Sequence, residues 1–260
     1  MPASDIAARP LIWVGLALTL MGLWWSPVSP VALSRADVAL GAGQPTLAVA
    51  RYDAVARWTP VRSWRHRALD RAARVLSSEL NDPSGARIRT RRLLAEQRTA
   101  QGRAETLARM AHLFQLEGRS TRAATEWLSA VDFAPTHPQA AQWWAKAAAS
   151  LADAGKIHRA SKQWEALLRA HPERRVEANL ARARLALADG RTADALPLFD
   201  DVVRHGSASE QAAGRLGASI CLERLGDLDE ALAAMDQASL PDTVRESREH
   251  VLKQRAQWAP

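Results

Sequence analysis

Cysteine is almost missing from this chain: Cys221 is the single one in 260 residues, so no disulfide framework exists and the fold has to come from burial. Lysine is scarce as well, with 4 residues against 31 Arg in an Ala-rich background, the codon bias of a GC-rich genome of bacterial type. Glycine and proline, at 13 each, are too few and too dispersed for a fibrous repeat. With 47% hydrophobic and 24% charged residues, the chain is also not a disordered polyampholyte. Long apolar runs are missing apart from one, which excludes a multi-span membrane protein.

The signatures of chemistry are missing too. The nearest approach to a phosphate-binding loop, Asp153-Ala154-Gly155-Lys156, lacks the first Gly and the following Ser or Thr. There is no Gly-x-Ser-x-Gly elbow and no His-Glu-x-x-His. The histidines at 66, 112, 137, 158, 171, 205 and 250 never pair at i,i+4 or gather with Cys at ligand spacing. Asp200-Asp201 and Asp227-Asp229-Glu230 are carboxylate pairs, but neighbours on a helix point to different faces, and acids just after Gly226 suit a helix start. The expectation is a protein without catalytic residues, cofactor or metal, and not an enzyme.

The one apolar run lies near the beginning. Residues 10–34 are uncharged, and Leu11 to Trp25 (LIWVGLALTLMGLWW) has no polar stripe of the kind a buried amphipathic helix carries. Residues 11–30 are therefore expected to be a short single-span membrane anchor behind a tail of residues 1–10, with Trp24 and Trp25 at the interface. The alternative is a secretory signal cleaved near Ala32-Leu33-Ser34. The body is expected outside the cytoplasm, in the periplasm, either anchored or released. Charge is placed unevenly: residues 51–109 hold 14 Arg against 6 acids, whereas residues 110–260 hold 19 basic and 20 acidic groups.

Helix-breaking residues recur through the rest. Gly43, Asn81, Gly118, Gly155, Gly190 and Gly226 are spaced by 38, 37, 37, 35 and 36. Five positions after each comes Ala: Ala48, Ala86, Ala123, Ala160, Ala195 and Ala231. Four later comes a larger residue, Tyr52, Thr90, Trp127, Trp164, Phe199 or Met235, with Thr90 the poor fit. Small and large residues one turn apart predict one helical face that a neighbour approaches closely. Before each breaker runs a second helical pattern, for example Trp64, Ala68, Ala72, Leu76 and Leu80. Each period is then helix, tight turn, helix, with Pro60, Pro135, Pro172 and Pro241 after the second helices.

The segments GRSTRAATEWLSAVDFAP (118–135), GKIHRASKQWEALLRAHP (155–172), GRTADALPLF (190–199) and GDLDEALAAM (226–235) resemble the tetratricopeptide repeat in their Gly, Ala, aromatic and Pro positions. The resemblance implies an all-α, tetratricopeptide-like α-solenoid of five to six helical hairpins. Four repeats fall in residues 104–241, preceded by two degenerate, Arg-rich hairpins in 33–98. A capping helix follows in 242–260, opened by a Thr243/Glu246 capping box.

In that family the first helices of the repeats line a concave surface that binds peptides. The resemblance thus implies a groove presenting Glu105, His112 and Gln115, then Gln142, Lys146 and Ala149, then Glu177 and Arg184, then Glu223. The pair Trp143-Trp144 cannot face one seam, so Trp143 is expected to be partly exposed as a contact anchor. The family's carboxylate-gripping version uses Lys and Asn where this chain has Ala108 and His112, which argues against a terminal carboxylate as ligand. Arg62, Arg65, Arg67, Arg71, Arg74, Arg87, Arg89, Arg91 and Arg92 form a second candidate, a basic patch or simply a solvated face. Without a reader motif or an aromatic stacking series, nucleic acid is disfavoured as its partner. The expected function is a membrane-anchored scaffold that binds another protein through its groove, in the assembly or maintenance of a bacterial envelope complex. The alternatives are a cationic module in 62–92 that docks anionic lipid, polymer or nucleic acid, and an accessory subunit of an envelope enzyme.

Overall fold

The computed structural model describes residues 30–236, 246 and 249–253, and every regular element among them is helical. In order these are α1 (residues 30–41), α2 (Pro45–Trp58), α3 (Arg62–Ser78), α4 (Pro83–Glu96), α5 (Ala100–Leu116), α6 (Ser120–Phe133), α7 (Ala140–Asp153), α8 (Ile157–Ala170), α9 (Arg175–Ala188), α10 (Thr192–His205), α11 (Ala208–Leu225) and α12 (Leu228–Asp236). They pair into hairpins, and the chain divides into two compact units, one ending at Ala134 and the other starting at Pro135. The first unit holds the hairpins α1–α2, α3–α4 and α5–α6. The second holds α7–α8, α9–α10 and α11–α12, with a further helical stretch at 249–253.

The turns are where the period is written. Gly43, Gly118, Gly155, Gly190 and Gly226 have φ between 69° and 98°, and Asn81 is the one positive-φ residue other than Gly among those described, at 48°. This left-handed residue closes the first helix of each hairpin, because the next amide reaches back to a carbonyl of the last turn. Arg119 N donates to Phe114 O at 2.8 Å, Lys156 N to Leu151 O at 2.9 Å and Asp227 N to Leu222 O at 3.0 Å. Two of the three second helices in the first unit begin on proline at its favoured first position, Pro45 in α2 and Pro83 in α4.

The small residue after each turn is fully buried: Ala48, Ala86, Ala123, Ala160, Ala195 and Ala231 are all 0% exposed. The larger residue one turn on is buried beside it in every repeat, Thr90 included, whose hydroxyl donates to the Ala86 carbonyl at 3.0 Å. Thr90 thereby satisfies inside its own helix the polar group that made it a poor fit. In the first unit Leu33, Ala36 and Ala39 of α1 join Tyr52, Leu69, Ala72, Leu76, Leu93 and Leu113 in one core. In the second, Phe199 packs among Ala183, Ala186, Ala195, Ala218 and Cys221. Leu252 of the last helical stretch closes over Leu222, Ala231 and Met235. Burying side chains of this size is worth ~1.5–3 kcal/mol each, which offsets the ordering of short helices that are marginal alone.

Of the expected C-terminal cap, residues 249–253 are helical and Leu252 is 0% exposed, while Thr243 lies outside the described residues. The expected membrane segment also lies outside them, apart from Pro30 in α1. Among the described residues no helix is long and apolar enough to cross a membrane.

Candidate functional site

The first helix of each hairpin spends one side on the core and leaves the other for contact. On α5, Ala104, Leu107, Ala108, Met110, Ala111, Leu113 and Phe114 are buried, leaving His112 exposed and Glu105 and Gln115 half-buried. Ala108 is therefore turned to the core, and His112 is the exposed member of that pair. Glu105 accepts from the Gln101 side-chain amide at 3.0 Å, a one-turn pair that fixes its rotamer. In the second unit, Gln142 and Ala149 of α7 and Glu177 and Arg184 of α9 are exposed, while Lys146 and Glu223 are half-buried. The groove candidates thus divide between the two units, with Glu105, His112 and Gln115 in the first and the rest in the second.

Trp143 corrects the expectation placed on it. It is 3% exposed, and its ring stacks on His137 with centroids 4.5 Å apart and planes 15° apart. Its neighbour Trp144 is the half-buried one, and its indole N–H donates to Gln163 Oε1 at 2.8 Å. The two rings do diverge as helical geometry requires, but the opposite one is turned inward. On the first helices α5 and α11, exposed large apolar side chains stand at the C-terminal ends instead, Leu116 at 54% and Leu225 at 47%. Apolar character did not separate these from the core: Leu216 and Ile220, earlier on α11, are themselves half-buried.

Five of the nine arginines of the basic patch pair with carboxylates, four of them across to another element. Arg65 of α3 pairs with Glu96 of α4 at 2.8 Å, Arg87 of α4 with Glu117 at 2.9 Å, and Arg89 of α4 with Asp53 of α2 at 2.5 Å. Arg71 reaches Asp37 of α1, and Asp70 is shared by Arg74 at 3.1 Å and by Arg109 of α5. Arg67 lies over the Trp64 ring at 4.8 Å, and Arg62 Nε donates to His66 Nε2 at 3.3 Å. Of the nine, Arg62, Arg67, Arg91 and Arg92 make no ion pair among the described residues, and the last three of these are exposed. Part of the positive charge of this region is therefore engaged in clasps between helices, while Arg67, Arg91 and Arg92 stay exposed.

These clasps shift the titration of their members. Burial would raise the Glu117 carboxyl, but hydrogen bonds from Arg87 and Arg119 outweigh it and hold the group below the usual carboxylate range. Asp201 behaves alike in the second unit, where the guanidinium of Arg175 and the amide of Asn179 outweigh burial. Tyr52, which donates to Asp37 at 2.5 Å, is pushed up to about 12 by burial and by that bond. These groups are held in single states near neutral pH, the behaviour of structural ties. Among the described residues no three His, Cys, Asp or Glu gather to hold a metal ion.

The tetratricopeptide repeat family model matches residues 145–210 and 180–242. No curated protein matches the sequence. Among solved structures the chain is similar to PilF of Pseudomonas aeruginosa, at 19% identity over 80% of this chain and 89% of that one, with a TM-score of 0.51. It is similar to BtubC of P. vanneervenii at 14% identity over 86% and 90% with a TM-score of 0.56. A third likeness is to YrrB, a tetratricopeptide protein with an unusual peptide-binding site, at 15% identity over 74% and 91% with a TM-score of 0.53. At such identities the likeness is one of fold. Residues 145–242 accordingly match the tetratricopeptide repeat, and the all-α fold that carries them is similar to that of tetratricopeptide α-solenoids.

Proposed function

We propose that this chain is a non-catalytic scaffold, anchored in a membrane through residues 11–30, that binds a segment of another protein along the exposed faces of its first helices and serves the assembly or upkeep of a bacterial envelope complex. The observation that carries the protein-binding part is the division of labour in each hairpin: the inner side of the first helix is consumed in packing, while polar side chains such as His112, Gln142, Glu177 and Arg184 are held outward on it. Side chains on rigid helices lose little freedom on binding, which favours capture of an extended or helical peptide. The anchoring part is supported by the uncharged, apolar stretch in the sequence. The rival reading of residues 62–92 as a polymer-docking module loses support from the carboxylates that face most of its arginines.

Crosslinking pull-down of the full-length chain tests the proposal. Changing His112, Gln115, Lys146 and Arg184 together is expected to abolish recovery of at least one protein partner, in a manner that tolerates salt. Recovery of all partners at unchanged yield sinks the assignment of these faces.

A further inference from the structure

The terminal repeat of a stack normally needs a polar outer side, because nothing packs against it. Here the outer side of the first hairpin carries exposed apolar side chains among arginines. On α1, Val31, Ser34, Arg35 and Val38 are exposed, Val31 at 51% and Val38 at 68%. On α2, Leu47, Arg51, Ala54 and Trp58 follow one another at helical spacing on one face, and all are exposed, Trp58 at 64%. The two rows meet, because α1 and Arg51 line one shallow concavity of about 400 Å³ and Arg51 Nη1 donates to the Arg35 carbonyl at 2.7 Å.

Charge on this face has one sign. The carboxylates of the same two helices point elsewhere: Asp37 toward Tyr52 and Arg71, and Asp53 toward Arg89. Among the described residues no carboxylate pairs with Arg35 or Arg51. A second copy of the chain would set these cations against each other, and the apolar run of residues 11–25 has no anion to offer them. What matches exposed Val, Leu and Trp beside arginines is a layer with hydrocarbon beneath phosphate. The chain also leads there: Trp25 stands five residues before Pro30, a connection of at most about 17 Å.

We propose that the outer face of α1 and α2 rests on the surface of an anionic lipid bilayer, with Val31, Val38, Leu47 and Trp58 in the interfacial layer and Arg35 and Arg51 on lipid phosphates. Tryptophan suits this depth because its ring is apolar and its N–H polar, and arginine grips phosphate with two parallel donors. The proposal rests on the membrane anchoring proposed above and adds the orientation of the first repeat. It turns that hairpin into a foot that sets how the first unit meets the membrane.

The test uses the full-length chain with Val38→Cys carrying an environment-sensitive fluorophore. Cys221 is 0% exposed and its thiol is pushed up by burial, so the label goes to position 38. The chain is reconstituted in vesicles of phosphatidylglycerol and phosphatidylcholine. The expected result is a blue-shifted label, quenched by nitroxide lipid at headgroup depth, with quenching that rises with the phosphatidylglycerol fraction. A label at Ala149→Cys should stay in water. Arg35→Glu with Arg51→Glu is expected to lower the docked fraction relative to the free one by roughly thirtyfold while the chain still floats with the vesicles. A water-like label at position 38 on floating vesicles overturns the docking and leaves the anchor standing. A chain that does not float defeats both. Equal quenching at 38 and 149, or a blue shift in neutral detergent that lipid leaves unchanged, also overturns the docking, the latter assigning the face to the chain itself or to a second copy.

Discussion

Gly217 is the most tightly enclosed of the described glycines in the second unit. A Cβ placed there would lie 2.2 Å from the Phe199 ring, and one at Gly214, a turn earlier on α11, would lie 2.9 Å from Val203 Cγ2. Gly217→Ala gains ~1 kcal/mol of helix propensity but pushes a ring that is 2% exposed, and overpacking of that kind costs ~1–3 kcal/mol. The expected result is a net loss of up to ~2 kcal/mol in urea unfolding, largely relieved when Phe199→Leu is added. Asp201 is the polar counterpart. Its folded state is held deprotonated by Arg175 and Asn179, so its contribution is present above the unfolded value of ~3.9 and is lost as pH falls through the lower folded value. Asp201→Asn should cost ~2 kcal/mol at neutral pH and should flatten the decline of stability below about pH 4, read from urea midpoints across pH. Neither residue was legible beforehand. A glycine inside a helix looks like a weak helix former until the ring that fills its place is known, and Asp201 beside Asp200 looks like surface charge. Trp143 and Trp144 show the same limit, since adjacency says that two rings diverge and not which one is inside. The left-handed turns and the buried alanines were legible because each is required by local geometry and repeats six times.

At the scale of the element, α10 departs from what its sequence favours. Pro197 lies inside Thr192–His205, where the ring removes one backbone hydrogen bond, yet the helix runs on for two further turns. Ala195, Phe199 and Val202 are the reason: all three are buried on one side of α10, and their packing outweighs a local break. Pro197 itself is exposed. Pro197→Ala is therefore expected to stabilise the second unit by ~1–3 kcal/mol without disturbing the core, seen as a raised urea midpoint with unchanged m-value. The arginine clasps belong to this scale as well. The sequence places a cluster of positive charge in residues 51–109 and is silent on the carboxylates that meet it, because those partners come from adjacent repeats, as Asp53 does for Arg89 and Glu117 for Arg87. Charge counted along a chain overstates the field of a repeat protein whenever one period of sequence brings opposite charges to adjacent helices.

For the whole molecule, the repeat architecture sets how damage spreads. Stability in such chains is close to a sum over hairpins and their nearest-neighbour interfaces, so a lesion weakens its own hairpin most and fades with sequence distance. Phe199→Ala removes the ring that joins α9, α10 and α11, at a cost of ~3–5 kcal/mol to that hairpin and its contacts. In a two-state globule of this length the loss would appear at every protected amide. Here hydrogen exchange is expected to speed most in α9 to α12, by roughly a hundredfold or more, and to change least in α1 to α4. Uniform acceleration across both units would mean that the hairpins unfold as one cooperative body, and the first-helix faces would then stand or fall together whenever a single core is damaged. Graded loss instead makes the binding faces separable. A partner that needs only His112 and Gln115 should still be captured by the Phe199→Ala chain, whereas one that needs Arg184 should be lost as α9 frays.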